Sequence, residues 1–217
     1  MRMESGALPV VSARPGPGRP ELVRRAKVLA RLGLGWHAIE AAIAIGAGIG
    51  ASSVALIGFG ADSIVESAAG VVLLWRFGAE RQSSDAAEQR AYRLIAVSFW
   101  VIAAYVGVEA ARQLIDGSHP EVSWIGIGLA AVTLATMPPL AKAKTRVAGQ
   151  LGSAATRAEG RQNMLCAYLS GALLVGLGAN ALFGWWWADP VTALLIAGVA
   201  VREGRQAWDG ETCCDAC

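Results

Sequence analysis

Charge is scarce in this chain. Only 17% of its 217 residues are charged, against about 25% in soluble domains, which argues against a water-soluble fold. The formal total of +2 is uninformative in itself. Nucleophile–base constellations, phosphate-cradling glycine loops and nucleotide motifs are missing as well. Gly46-Ala-Gly48-Ile-Gly50 lies in an apolar run with no strand before it, so it is no dinucleotide fingerprint. Nothing supports an enzyme. Cysteine is sparse too: of four, three crowd into the last five residues and only Cys166 is internal. Residues 1–20 carry no secretory pattern. Their Pro, Gly and scattered Arg read as a disordered tail rather than a cleavable leader.

What fills the space is apolar. Hydrophobic residues make up 54% of the chain, and its mean hydropathy is +0.44. Runs of about 20 apolar residues mark membrane spans, and six fall near 29–50, 53–76, 92–115, 122–141, 161–184 and 186–205. Gly48 to Ser53 reads as the first turn, and Asp116 to Glu121 as the third. Trp185, Trp186 and Trp187 form an interfacial aromatic belt before the sixth span. Pro138-Pro139 is expected to kink or end the fourth helix. Residues 145–160 suit a cytoplasmic extension of the fifth.

Basic residues set the orientation. Arg24, Arg25 and Lys27 precede the first span, and Arg76, Arg81, Arg90 and Arg93 lie between the second and third. Lys142, Lys144, Arg146, Arg157 and Arg161 lie between the fourth and fifth, with Arg202 and Arg205 at the end of the sixth. Only Arg112 falls on the other side. The positive-inside rule then puts both termini in the cytoplasm. Anionic headgroups explain the basic segment Arg19 to Arg31 better than nucleic acid does. The expected fold is an all-α integral membrane bundle of six transmembrane helices, multi-pass in the cell membrane. Residues 1–27 form a cytoplasmic tail, 28–206 the bundle, and 207–217 a short Cys-containing tail.

Two acids interrupt the second span. Asp62 and Glu66 stand four residues apart, so they share one helix face a turn apart. Each charged residue at a helix centre costs roughly 2.5–3.5 kcal/mol on insertion scales. The usual compensation is a cation. His37 and Glu40, three residues apart on the first span, share a face in the same way. They read either as a proton relay or auxiliary metal ligands, or as a self-satisfying pair.

These motifs carry a resemblance. Gly60-Ala-Asp62-Ser-Ile-Val-Glu66 resembles the second-helix acidic motif of the cation diffusion facilitator family. Ala158-Glu159-Gly-Arg-Gln162-Asn-Met-Leu-Cys166-Ala-Tyr-Leu-Ser170 is similar to its fifth-helix motif, and Ala188-Asp189-Pro190 to the opening of its sixth helix. The resemblance covers roughly residues 28–208. It implies export of a divalent metal, usually zinc, in exchange for protons, by a homodimer. The family's fifth-helix pair is His and Asp; here Gln162 and Cys166 take those positions. An ungapped count back from Asp189 gives Asn163 and Ala167 instead. The register on Ala158-Glu159 is preferred because it supplies a thiol. Many members carry a cytoplasmic metal-binding domain after the sixth helix, where about a dozen residues remain here. Dimerisation would then rest on the membrane helices, with Gly46 and Gly50 as a close-packing face.

Asp62, Glu66 and Cys166, with Gln162 or a water, would make a four-coordinate site for zinc; cadmium, cobalt and iron(II) tolerate the same donors. The ion is cargo, and no resident cofactor is expected. His37, Glu40, Cys214 and Cys217 are weaker metal candidates; the terminal thiols suit a soft ion better than a disulfide in a reducing cytoplasm. Glu109 and Arg112 read as a local ion pair, and His119 and Glu121 as loop residues. Two functions follow. One is a proton-coupled metal exporter, with metal ions, protons, lipid and a second copy as partners and no nucleic acid. The other is a membrane metal-binding or sensory protein no longer coupled to transport.

Overall fold

In a computed structural model describing residues 18–78 and 85–209, every element is a helix. They are α1 (Arg19–Ala51), α2 (Val54–Gly78), α3 (Asp85–Asp116), α4 (Trp124–Leu151), α5 (Ala154–Phe183) and α6 (Ala188–Asp209). The six expected spans are all present, and most run further than their apolar cores. Among the described residues, α1, α4 and the Thr156–Phe183 part of α5 are long and apolar enough to cross a bilayer.

The helix ends follow local chemistry. Pro20 sits in the first turn of α1, where its missing N–H loses no helical bond. Glu21 pairs with Arg25 and Arg24 at 3.0 Å each. Arg25, then Arg24, holds its carboxyl below the usual range. Residues 19–27, read from composition as tail, are therefore helical. The Gly48–Ser53 turn also contracts. α1 continues to Ala51, and only Ser52, at φ 53, and Ser53 separate it from α2. The Ser53 amide closes the end by donating to Gly48 O at 2.9 Å. Ser123 and Ser153 cap α4 and α5 by accepting from Gly126 N and Thr156 N. Gly152 and Gly184 end the same two helices at φ 68 and 67, a conformation glycine adopts without penalty.

Two expectations are corrected here. α4 passes through Pro138 and Pro139 and ends only at Leu151. In a membrane helix, neighbouring groups re-satisfy the carbonyls that prolines orphan, so the break is not forced. Residues 145–151 thereby belong to α4, and α5 begins only after the Gly152 turn.

The closest pairings are α4 with α5, α1 with α2, and α3 with α6. α1 also packs on α4, and α2 on α3 and α6. The inward stripe of α1 is mostly small: Ala26, Ala30, Gly33, Ala41, Ala44 and Gly48, with His37 and Glu40 in the same stripe. Small residues let membrane helices approach closely. A Cβ on Gly48 would lie 2.8 Å from the Ile57 side chain, and one on Gly60 2.8 Å from Ile45. Phe59, Leu56, Met137, Leu173 and Ile196 fill the centre. Ile39, Ile49, Val101, Val175 and Leu182 face outward, as a lipid-facing surface requires. Gly46 and Gly50 also face outward, with nothing within 4 Å of where a Cβ would sit.

One end of the bundle is stitched by polar contacts between elements distant in sequence. Glu121 N donates to Ala51 O at 2.9 Å, Gln113 Nε2 to Ser52 O at 2.8 Å, and Asn180 Nδ2 to Pro120 O at 3.0 Å. His119 packs on Trp186 with ring centres 5.1 Å apart. Glu109 and Arg112 pair at 3.7 Å on the surface of α3. Asp189, fully buried at the start of α6, accepts from Ser53 Oγ and from Ala55 N. It thus caps α2 from across the bundle, placing negative charge where the helix dipole favours it. Asp189→Ala should destabilise the protein by about 2 kcal/mol, read as a lower unfolding midpoint in detergent. An unchanged midpoint would deny the cap its role.

Candidate metal centre

The α1 stripe carries His37 and Glu40 into the bundle, with Glu40 at 0% exposure. Opposite them α2 presents Glu66 and α5 presents Cys166, both buried. One ligand atom from each of these four residues lies within 4.8 Å of all the others. His37 Nδ1 stands 3.2 Å from Glu40 Oε2 and 3.0 Å from Glu66 Oε2. Cys166 Sγ stands 3.8 Å from Glu40 Oε2. Sequence reasoning reached all four residues but grouped them differently, with His37 and Glu40 as auxiliaries.

Hydroxyls hold the first carboxylate in place. Glu40 Oε1 accepts from Thr133 Oγ1 of α4, and Oε2 accepts from Ser63 Oγ of α2 at 3.0 Å. Such outer contacts fix the direction of a ligand's lone pairs. Ser170 Oγ donates to Cys166 O at 2.7 Å. Glu66 is different. Both of its oxygens are buried; Oε2 pairs with His37 Nδ1, and Oε1 has no hydrogen-bond partner among the described residues. Buried polar atoms are rarely left so. In a tetrahedron with bonds of roughly 2.0–2.3 Å, ligand atoms stand roughly 3.3–3.8 Å apart. Three of the separations, 3.0, 3.2 and 3.8 Å, are near that range, and all lie within 4.8 Å.

The remaining sequence candidates lie elsewhere. Asp62 is buried one turn before Glu66 but falls outside the four-residue group. Gln162 is half-buried and also not among those four. In the other register, Asn163 is buried but engaged: its Oδ1 accepts from Lys144 Nζ at 3.0 Å and its Nδ2 faces Met137 Sδ at 3.2 Å. Ala167 is buried and has no donor atom to offer. Cys214 and Cys217 lie outside the described residues.

Lys144 is a residue whose part the sequence did not single out. Counted only among the cytoplasmic-side basic residues, it is 3% exposed and pairs with Glu159 Oε2 at 2.9 Å. The signal was there. Gly126, Ala130, Thr133, Met137, Ala141, Lys144 and Ala148 form one helical stripe, and every one is buried. That same stripe delivers Thr133 to Glu40.

Residues 33–207 match the cation efflux transmembrane domain. The chain belongs to that family. All four clustered residues fall inside the match. The chain is also similar to an uncharacterized transporter of Synechocystis sp., at 26% identity over 179 residues, covering 79% of this chain and 58% of that protein. It therefore spans less than two thirds of that relative's length. Family and apolar helices together make this a membrane protein.

Removing one hydroxyl tests the support of Glu40. Thr133→Val leaves Oε1 without its donor and should destabilise the metal-free protein by about 1–3 kcal/mol. Thermal unfolding in detergent reads the loss; parental stability would mean that the hydroxyl contributes nothing.

Proposed function

We propose that this chain carries a divalent metal cation across the membrane and binds it on the way among His37, Glu40, Glu66 and Cys166. The observation that carries this reading is the buried group itself: an imidazole, two carboxylates and a thiol, each with a ligand atom within 4.8 Å of the others. Zinc suits that set best, since it accepts nitrogen, oxygen and sulfur in tetrahedral geometry. Cadmium, cobalt and iron(II) compete for the same donors.

Two carboxylates and a thiolate carry three negative charges against the two of the ion. An empty site with that excess holds protons, so loading expels protons and protonation expels metal. Proton exchange follows from this linkage. The positive-inside bias puts both termini and the Gly152 turn in the cytoplasm of a cell-membrane protein, and the transport direction is export. Asp62, one turn outward of Glu66 on α2, is the next carboxylate on that route. The open surface beside Gly46 and Gly50 suits a second copy, making the working unit a homodimer.

Purified protein should bind zinc with one high-affinity site per chain. Cys166→Ser and His37→Ala should each weaken it by about tenfold or more. With cobalt as probe, Cys166→Ser should also lose the thiolate charge-transfer absorption. Parental affinity in both variants would move the site elsewhere.

Transport is tested in reconstituted vesicles. Zinc should drive a proton flux in the parent and none in Glu66→Gln. Asp62→Ala should be impaired; parental transport by that variant would take Asp62 off the path. Tight zinc binding without any proton flux in the parent would instead favour a membrane metal-binding or sensory protein.

A further inference from the structure

The Lys144–Glu159 pair lies beside the metal cluster, and metal binding does not account for it. Lys144 Nζ stands 2.9 Å from Glu159 Oε2 and donates to Asn163 Oδ1 at 3.0 Å. Its tip is pressed against α1, where a Cβ on Gly33 would come 2.8 Å from Nζ. Glu159 in turn faces α2, with Oε1 3.7 Å from where a Gly70 Cβ would sit. A methyl group at Gly33 would have to displace the ammonium.

The direction of the offset is consistent on every helix. Gly33 precedes His37 by four residues on α1, and Gly70 follows Glu66 by four on α2. Asn163 and Glu159 precede Cys166 by three and seven on α5, and Lys144 follows Thr133 by eleven on α4. Since α1 and α5 run opposite to α2 and α4, all these steps lead to the same end of the bundle. That end carries the Gly152 turn. The opposite end is closed by the backbone and amide contacts around Ser52, Pro120 and Asn180.

We propose that Lys144, held by Glu159 and Asn163, is the gate between the cation site and the Gly152 face of the protein. This rests on reading the four-residue cluster as the place where the cation binds. A fixed positive charge in a narrow, dry passage opposes the passage of a cation both by volume and by field. Lys144 and its two partners all belong to the α4–α5 hairpin, while the glycines that receive them belong to α1 and α2. Separation of the hairpins withdraws the ammonium without breaking its ion pair, and water then reaches the cluster.

Cys166 reports the passage directly. Replacing Cys213, Cys214 and Cys217 by Ser leaves it as the sole thiol of the full chain. A small, membrane-impermeant methanethiosulfonate is applied to sealed vesicles from the Gly152 face, with and without saturating zinc. Lys144→Ala/Glu159→Ala, which leaves no lone buried charge, should speed labelling by about tenfold or more. Gly33→Ala, which displaces the ammonium but keeps both charges, should speed it less. Exchange of the pair, by Lys144→Glu with Glu159→Lys, should return it toward the parent. A folded double variant labelled at the parental rate overturns the gate. Zinc should slow labelling in the parent; if it does not, the cluster reading fails, while the comparison between variants still decides whether the passage is gated.

Discussion

A carboxylate held away from water must find donors or a cation, and several acids inside the bundle meet that demand in different ways. Asp189 is met by a hydroxyl and by the amides at the start of α2. Glu40 is met by Thr133 and Ser63. Glu159 is met by the ammonium of Lys144. Glu66 pairs through Oε2 with the His37 imidazole at 3.0 Å, and its Oε1 has no hydrogen-bond partner among the described residues. The desolvation penalty of an ion in a protein interior is several kcal/mol even after relaxation. Asp189, Glu40 and Glu159 are thus met inside the bundle, and Glu66 through one of its two oxygens.

Small residues make that arrangement affordable in space. Ala and Gly along α1 bring α2 and α4 close enough for short side chains to reach across. Thr133 touches Glu40, and Ser63 reaches the same carboxylate from α2, only because the helix axes crowd together. Larger residues in the α1 stripe would push the hydroxyls out of range. The polar centre therefore depends on packing that is itself almost featureless in sequence.

Much of the fold was legible because apolar runs of membrane-spanning length leave few alternatives. Asp62 and Glu66 stood out for the same reason, being charges in a segment otherwise fit for lipid. What the pattern hid was depth. Lys144 lies beyond the apolar part of α4 and near other basic residues, so it counted only toward the orientation. The helix continues past Pro138 and Pro139, and that continuation carries Lys144 inward. The ligand grouping was hidden too. Four-residue spacing says which residues share a face, but not which face meets which across the bundle. That is why the spacing did not foretell that His37 and Glu40 would lie against Glu66 and Cys166, with Asp62 outside that group.

The four clustered residues are divided unequally between two hairpins. His37, Glu40 and Glu66 all ride on the α1–α2 pair, while Cys166 alone comes from the α4–α5 pair. An ion held by all four is therefore a clasp across the seam, fastened on one side by a single sulfur. Thiolate bonds are the part of such a set most sensitive to the softness of the metal. A soft ion would lock the seam shut, and a hard one would rest on the first hairpin and leave the second free to swing. On the proposed reading, the identity of the cargo and the mobility of the bundle would be joined at one atom.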